Sequence, residues 1–220
     1  MPLQTPRLLT LCALVFSLGL ASLNAQILSN GTGGGLWNDP ATWQGGVVPT
    51  TQSWTVLSTD TVTLTSSLSI STAQTATLQG KMDSSANAYD INVGKAKFTL
   101  DIQEGGEFSG TGDTRFFTNG TSLNSTAAIN MSGGVLSFAG RIHIYNTNTA
   151  TTERNSFTMS GGTLTVGSGG FRMSGADADD RAFVRIIGNA GTFNAGNLNL
   201  GSTADTATDQ KYETGTSAGH

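Results

Sequence analysis

Between Phe98 and Leu200, apolar residues recur at every second position in short runs. Phe98, Leu100 and Ile102 share one side of an extended chain, as do Ile129 and Met131, Phe157 and Met159, and Val184 and Ile186. A period of two is the mark of a strand buried on one face. A second run follows (Leu136/Phe138, Leu164/Val166), then a third (Ile142/Ile144, Phe171/Met173, Leu198/Leu200). Polar stretches at 146–155, 175–180 and 202–210 come after the third run. Glycines punctuate these runs at a nearly fixed interval. Gly106, Gly134, Gly162 and Gly191 lie 28, 28 and 29 residues apart, and Gly112, Gly140, Gly170 and Gly196 lie 28, 30 and 26 apart. Two landmarks sharing one period identify an internal repeat of strand, tight turn, strand, tight turn, strand, long loop.

Such a unit cannot bury its apolar face alone. Stacking it on its neighbours places each strand beside its counterpart one period on, about 4.8 Å away and parallel. The expected fold is therefore all-β: a right-handed, single-stranded parallel β-helix with about three short strands per coil of roughly 28 residues. The alternation of Val62/Leu64, Leu68/Ile70, Ala76/Leu78 and Ile91/Val93 extends it, less regularly, back to Asp60. The chain divides into a signal peptide (1–25), an N-terminal cap region (26–59) and coils (60–220). A new strand is expected to begin at Lys211–Gly215, which makes the sequence a C-terminally truncated solenoid. The Gly-Gly-x-Gly-x-Asp calcium repeat does not occur, which disfavours a calcium-binding β-roll.

Composition sharpens this picture. Thr, Ser, Gly and Asn make up 99 of the 220 residues, and only 12% are charged. These four residue types are mediocre or poor helix formers, so a helical bundle is disfavoured. A net charge of −4 argues against nucleic acid as the main partner. Arg7 followed by the uncharged, Leu-rich stretch 8–21 reads as a secretory signal, with cleavage after Ala25. That segment is too short to be read as a membrane span, and no second apolar segment follows. It also holds Cys12, the only cysteine, so disulfides cannot staple the mature chain. The expected location is extracellular, secreted or at a bacterial cell surface or outer membrane.

The stretch from Gly33 to Pro49, with Trp37 and Trp43 around Asn38-Asp39-Pro40, and the run Met159-Ser-Gly-Gly-Thr-Leu-Thr-Val-Gly167 resemble secreted bacterial β-solenoid surface proteins. These are the autotransporter-passenger-like and PEP-CTERM-associated kinds. The resemblance covers nearly all of the mature chain and implies a structural or adhesive role outside the cell. The expected partners are extracellular glycans or neighbouring surface proteins. The alternative is a carbohydrate-active parallel β-helix enzyme, of polysaccharide lyase or glycoside hydrolase type, or a glycan-binding module.

Candidate chemistry is sparse. Trp37, Trp43 and the following Trp54 could stack on sugar rings, or could plug the open end of the first coil. Arg115, His143 and Arg172 are spaced 28 and 29 apart on the outward side of the third strand, so stacking would align them in a basic column. A lyase would pair such a column with carboxylates, with an Arg as base and Ca²⁺ on the acids. Here Asp101 is followed at its repeat positions by Asn130, Thr158 and Arg185, and only Asp113 lies near the column in sequence. The column therefore reads as a solvated face or a polyanion site, with His143 a surface histidine. Asp177, Asp179 and Asp180 are three carboxylates in a loop, a metal-binding candidate set beside Arg181. An ice-binding ladder would need Thr-x-Thr in every coil, and Thr61/Thr63 and Thr163/Thr165 do not recur. No catalytic constellation and no cofactor is expected.

Overall fold

The computed structural model describes residues 26–93, 96–118, 126–146, 155–175, 182–187, 191–195, 198–200 and 211–215. Within them the chain winds as a parallel β-solenoid with three stacked columns of strands. The first column is β1 (Ile27–Leu28), β3 (Trp54–Val56), β6 (Gln74–Leu78), β9 (Lys97–Ile102), β12 (Thr126–Phe138), β14 (Asn155–Val166), β16 (Ala182–Ile187) and β19 (Lys211–Gly215). The second is β2 (Gly34–Leu36), β4 (Thr61–Thr63), β7 (Lys81–Ser84) and β10 (Glu107–Gly110), continued by the later halves of β12 and β14 and by β17 (Thr192–Ala195). The third is a separate sheet of β5 (Leu68–Ile70), β8 (Ile91–Val93), β11 (Thr114–Thr118), β13 (Arg141–Asn146), β15 (Gly170–Gly175) and β18 (Leu198–Leu200). Every pairing between these strands is parallel and joins one winding to the next.

Register decides which side chains meet. Leu100, Ile129 and Phe157 are mutual partners along the first column, and each is fully buried. Phe108, Leu136 and Leu164 do the same in the second. The interior is closed by aromatic contacts within and between columns. Phe108 meets Phe138 edge-on at 5.0 Å, and Phe157 meets Phe171 at 4.9 Å. Aromatic side chains bury about 150–250 Å² each, and a pair of this kind adds roughly 0.5–1.5 kcal/mol beyond the area term.

The glycine series marks a corner with no room for a side chain. Glu107, Val135, Thr163 and Thr192 are successive register partners, so the glycines just before them stack as the spacing predicted. Gly162 has φ +86°, and a Cβ there would lie 2.3 Å from the Gly133 carbonyl oxygen of the winding before. The second glycine series is off by one in its third member. Arg141 pairs with Gly170, so the counterpart of Gly140 is Gly169, whose added Cβ would sit 3.1 Å from Gly140.

Two features differ from the expected plan. The Gly-Gly pair does not end the strand in β12 or β14. Pairing continues through it, with register shifts between Met131 and Ser132 and between Ser132 and Val135. A bulge bends the ribbon where a turn was expected, because a bulge redirects a strand while its flanks stay paired. The coil boundary also does not fall at residue 60. β1 pairs β3, and β2 pairs β4, so residues 26–59 already contribute to the first two ladders. Only the third-column position of this first winding is replaced, by 3-10 turns at Pro40–Thr42 and Gln44–Gly46.

Asp60 clips this first winding to the second. It is 2% exposed, and its carboxylate accepts from the Ser29 hydroxyl, the Gly31 N–H at 2.7 Å, the Gly33 N–H at 2.8 Å and the Thr59 hydroxyl. Burial alone would push this carboxyl up. The hydrogen bonds from Ser29, Gly33, Gly31 and Thr59 outweigh burial and hold it below 3.8. A carboxyl lowered on folding stabilises the fold above its unfolded value, and that contribution is lost as the pH falls through the lowered value.

Two outcomes follow for equilibrium denaturation at neutral pH. Gly162→Ala should cost more than about 1 kcal/mol, because it combines positive φ with a backbone clash, whereas Thr163→Val on the outward side should move the midpoint little. Asp60→Asn should cost about 1–3 kcal/mol by leaving buried donors mismatched, and the gap between it and the parent should close as the pH drops below about 3.8.

Candidate functional site

The third column brings the sequence-predicted basic residues together. Arg115 pairs in register with His143, and His143 with Arg172. Successive β-strand residues alternate faces, so all three lie opposite the buried Ile142, Ile144 and Phe171. Arg141 lies two residues before His143 and joins the same face.

The charges along this face are not equivalent. Arg115 donates to Asp90 through Nε at 3.0 Å and Nη2 at 2.8 Å, a two-pronged pair. The Asp90 hydrogen bond is the main cause that raises the Arg115 guanidinium above its ordinary value, so Arg115 holds its proton and cannot act as a base. Arg141 Nη2 lies 3.6 Å from Asp113. No carboxylate of the described residues lies within ion-pair distance of Arg172. The Nε atoms of both Arg141 and Arg172 are buried without an acceptor among the described residues.

His143 is half-buried rather than a freely solvated surface histidine. Its imidazole is pushed down to about 4, first by burial and then by the positive charges of Arg141, Arg172 and Arg115, with Asp113 opposing weakly. It is therefore neutral near pH 7. The unfolded chain binds more protons than the folded one between about 6.5 and about 4, so acidification through that window works against folding at this residue.

The tryptophans take the plug role. Trp37, Trp43 and Trp54 are 7%, 2% and 0% exposed. Their rings meet edge-to-face at 5.0, 4.9 and 6.2 Å, and Trp43 Nε1 donates to the Trp37 carbonyl oxygen at 2.8 Å. Faces buried in this way are not available to a sugar ring, so Trp37 and Trp43 are corrected from ligand candidates to parts of the core. Asp177, Asp179 and Asp180 lie outside the described residues. Among the described residues no group of three or more His, Cys, Asp or Glu side chains is placed to hold a metal ion.

Asp90 and Arg141 were not singled out by sequence reasoning. Asp90 directly precedes Ile91, which pairs with Phe116 just after Arg115. The interval from Asp90 to Arg115 is 25 residues rather than 28, so a fixed-period alignment slides past it.

Grooves run over the outer surface of the described residues. One, of about 540 Å³, crosses β7, β10, β12 and β14, and its floor includes Asp83, Ser109, Ser137 and Thr165, which are successive register partners. Lys81 and Glu107 flank its first rungs as an ion pair at 3.2 Å. A smaller one, of about 290 Å³, lies over Asp101, Asn130 and Thr158, where Asn130 Nδ2 donates to Asp101 at 2.8 Å. The Thr-x-Thr rows do not form a continuous ladder, since Lys81, Glu107 and Val135 separate Thr61 from Thr163 in register.

No protein-family model matches the chain, and comparisons with curated proteins and with solved structures give no significant match. None of the described helices is long and apolar enough to cross a membrane.

The state of His143 is directly measurable. Its imidazole resonances should titrate near pH 4, and Arg172→Gln should move that midpoint upward by removing one repelling charge. A midpoint near the ordinary 6.5 would contradict the placement of His143 among the arginines.

Proposed function

We propose that this chain is a non-catalytic, secreted or cell-surface β-solenoid whose role is structural and adhesive. The observation that carries this reading is the 540 Å³ groove floored by the in-register row Asp83, Ser109, Ser137 and Thr165. It offers a carboxylate and three hydroxyls at rung spacing of about 4.8 Å. Groups of that kind hydrogen-bond to sugar hydroxyls. A linear glycan lying along the axis would meet one polar side chain per winding, each contact weak and the sum set by how many are engaged together. The scaffold suits this use because the groove floor belongs to strands, which hold side chains more tightly than loops do.

Two observations support a binding role over a lyase or hydrolase role. One arginine of the column, Arg115, is fixed as a cation by Asp90 and so is unsuited to act as a lyase base. His143, poised near 4, is a weak base at neutral pH. The reading of residues 1–25 as a secretion signal supports an extracellular setting, and the resemblance to bacterial surface solenoids points the same way.

The test is retention of the purified chain on arrays of neutral and acidic glycans, run beside a polyuronate lyase assay. The expected result is retention by at least one glycan class and no cleavage product. Ser137→Phe, which fills the middle of the groove on an outward-facing position, should abolish the retention of neutral glycans while leaving the melting temperature within a few degrees. Cleavage that vanishes with Arg172→Ala would overturn the non-enzymatic reading.

A further inference from the structure

We propose that Arg141, His143 and Arg172 form a second binding site, separate from the groove, for the carboxylate or sulfate groups of an acidic polysaccharide. The chain carries a net charge of −4, yet this face gathers three arginines around one histidine. Sorting their partners locates the excess. Arg115 is matched by Asp90 in a two-pronged pair at 2.8 and 3.0 Å, so its charge is neutralised on the spot. Arg141 is loosely matched by Asp113 at 3.6 Å. Arg172 has no carboxylate partner among the described residues, and the Nε donors of Arg141 and Arg172 are buried with no acceptor among those residues. The uncompensated charge therefore falls at the β13–β15 end of the column.

Geometry selects the ligand class. Arg172 is the register partner of His143, one rung further along the axis. Cations on adjacent windings lie about 4.8 Å apart along the axis, so a linear polymer with one oxyanion per unit can meet them in succession. A guanidinium presents a planar fork that matches carboxylate and sulfate oxygens. His143 deepens the site because it is a donor held in reserve. The charged groups facing it are Arg115 on β11 with Asp113 just before that strand, Arg141 on its own strand and Arg172 on β15; burial and the three arginines keep it neutral against the weaker pull of Asp113. An oxyanion placed among them would offset the arginine charges and let the imidazole take a proton. Binding and protonation are linked, so affinity should rise as the pH falls from 7 toward 5.

The experiment measures binding of the full chain to polygalacturonate, to dextran sulfate, to neutral dextran and to a single-stranded oligonucleotide, at several salt concentrations. The expected result is salt-sensitive binding to one or both acidic glycans, none to dextran, and weaker binding to the oligonucleotide. The two acidic probes separate carboxylate from sulfate recognition. Arg172→Gln should weaken binding at least tenfold and flatten the salt dependence. Asp90→Asn strips Arg115 of its counter-charge and should tighten binding at least threefold, a gain that a misfolded protein cannot imitate. The His143 titration midpoint should climb from about 4 when the acidic glycan is added. Unchanged binding in both variants, equal binding of dextran, or tighter binding of the oligonucleotide would overturn the proposal. Ser137→Phe should leave this binding intact, so a chain that binds the acidic glycans yet shows no Ser137-dependent retention would count against the adhesive groove and not against this site.

Discussion

Parallel pairing between one winding and the next is the constraint on which everything else in this molecule depends. Each strand hydrogen-bonds to its equivalents before and after it, so a position in the repeat becomes a column in space. Whatever stands at that position meets its own counterpart about 4.8 Å away, again and again. Interior columns can therefore be filled by like residues, as Leu100, Ile129 and Phe157 are. Corner columns must leave space for the neighbouring backbone. That is why Gly162 stands where the Gly133 carbonyl oxygen of the previous winding would lie 2.3 Å from any Cβ.

The same constraint creates a problem at the first described winding, where β1 and β2 pair with no earlier strand among the described residues. Open strand edges and an open apolar interior both invite unwanted pairing. This chain closes its interior with three edge-to-face tryptophans. It ties the loop carrying Gly31 and Gly33 back to the second winding through the buried Asp60 carboxylate. A buried charge is tolerated there because several donors converge on it. The apolar plug and the polar clip act on the same winding, so the third-column strand missing from it is replaced without leaving the core bare.

How much of this is legible in the sequence depends on how far a feature keeps to a fixed period. The glycines from Gly106 to Gly191 are legible because a single geometric demand recurs at a constant interval, and the register confirms them. Gly170 misleads because two adjacent glycines fit the interval almost equally, and only register shows that Gly169 stands over Gly140. The first winding is hidden because β2 is Gly34-Gly35-Leu36 and displays no alternation. Its strand character comes wholly from pairing with β4. The Asp90–Arg115 pair is hidden because the windings before Leu100 are shorter. Trp54, Ala76 and Leu100 pair at intervals of 22 and 24 residues, against 29 from Leu100 to Ile129. The basic column itself was legible, but its electrostatics were not. Which arginine is spent on a carboxylate is settled by side chains that the period does not align.

The low charge of the chain follows from the same geometry. On a solenoid a charged residue that recurred with the repeat would stack on itself, and like charges on adjacent rungs destabilise a sheet. Outward columns must therefore be neutral, alternate in sign, or carry compensation. All three solutions are present. Asp83, Ser109, Ser137 and Thr165 follow a single acid with hydroxyls. Lys81 and Glu107 alternate in sign at 3.2 Å. The Arg115, His143 and Arg172 column keeps like charges in register only by pairing the first with Asp90 and discharging the second. A composition rich in Thr, Ser and Asn and only 12% charged is thus what a polar surface looks like when every position is read out as a column. Among the described residues, the face of Arg141, His143 and Arg172 departs from it, with charge retained against the electrostatic preference of the fold, and a ligand bearing the opposite charge is the simplest thing that would make that retention useful.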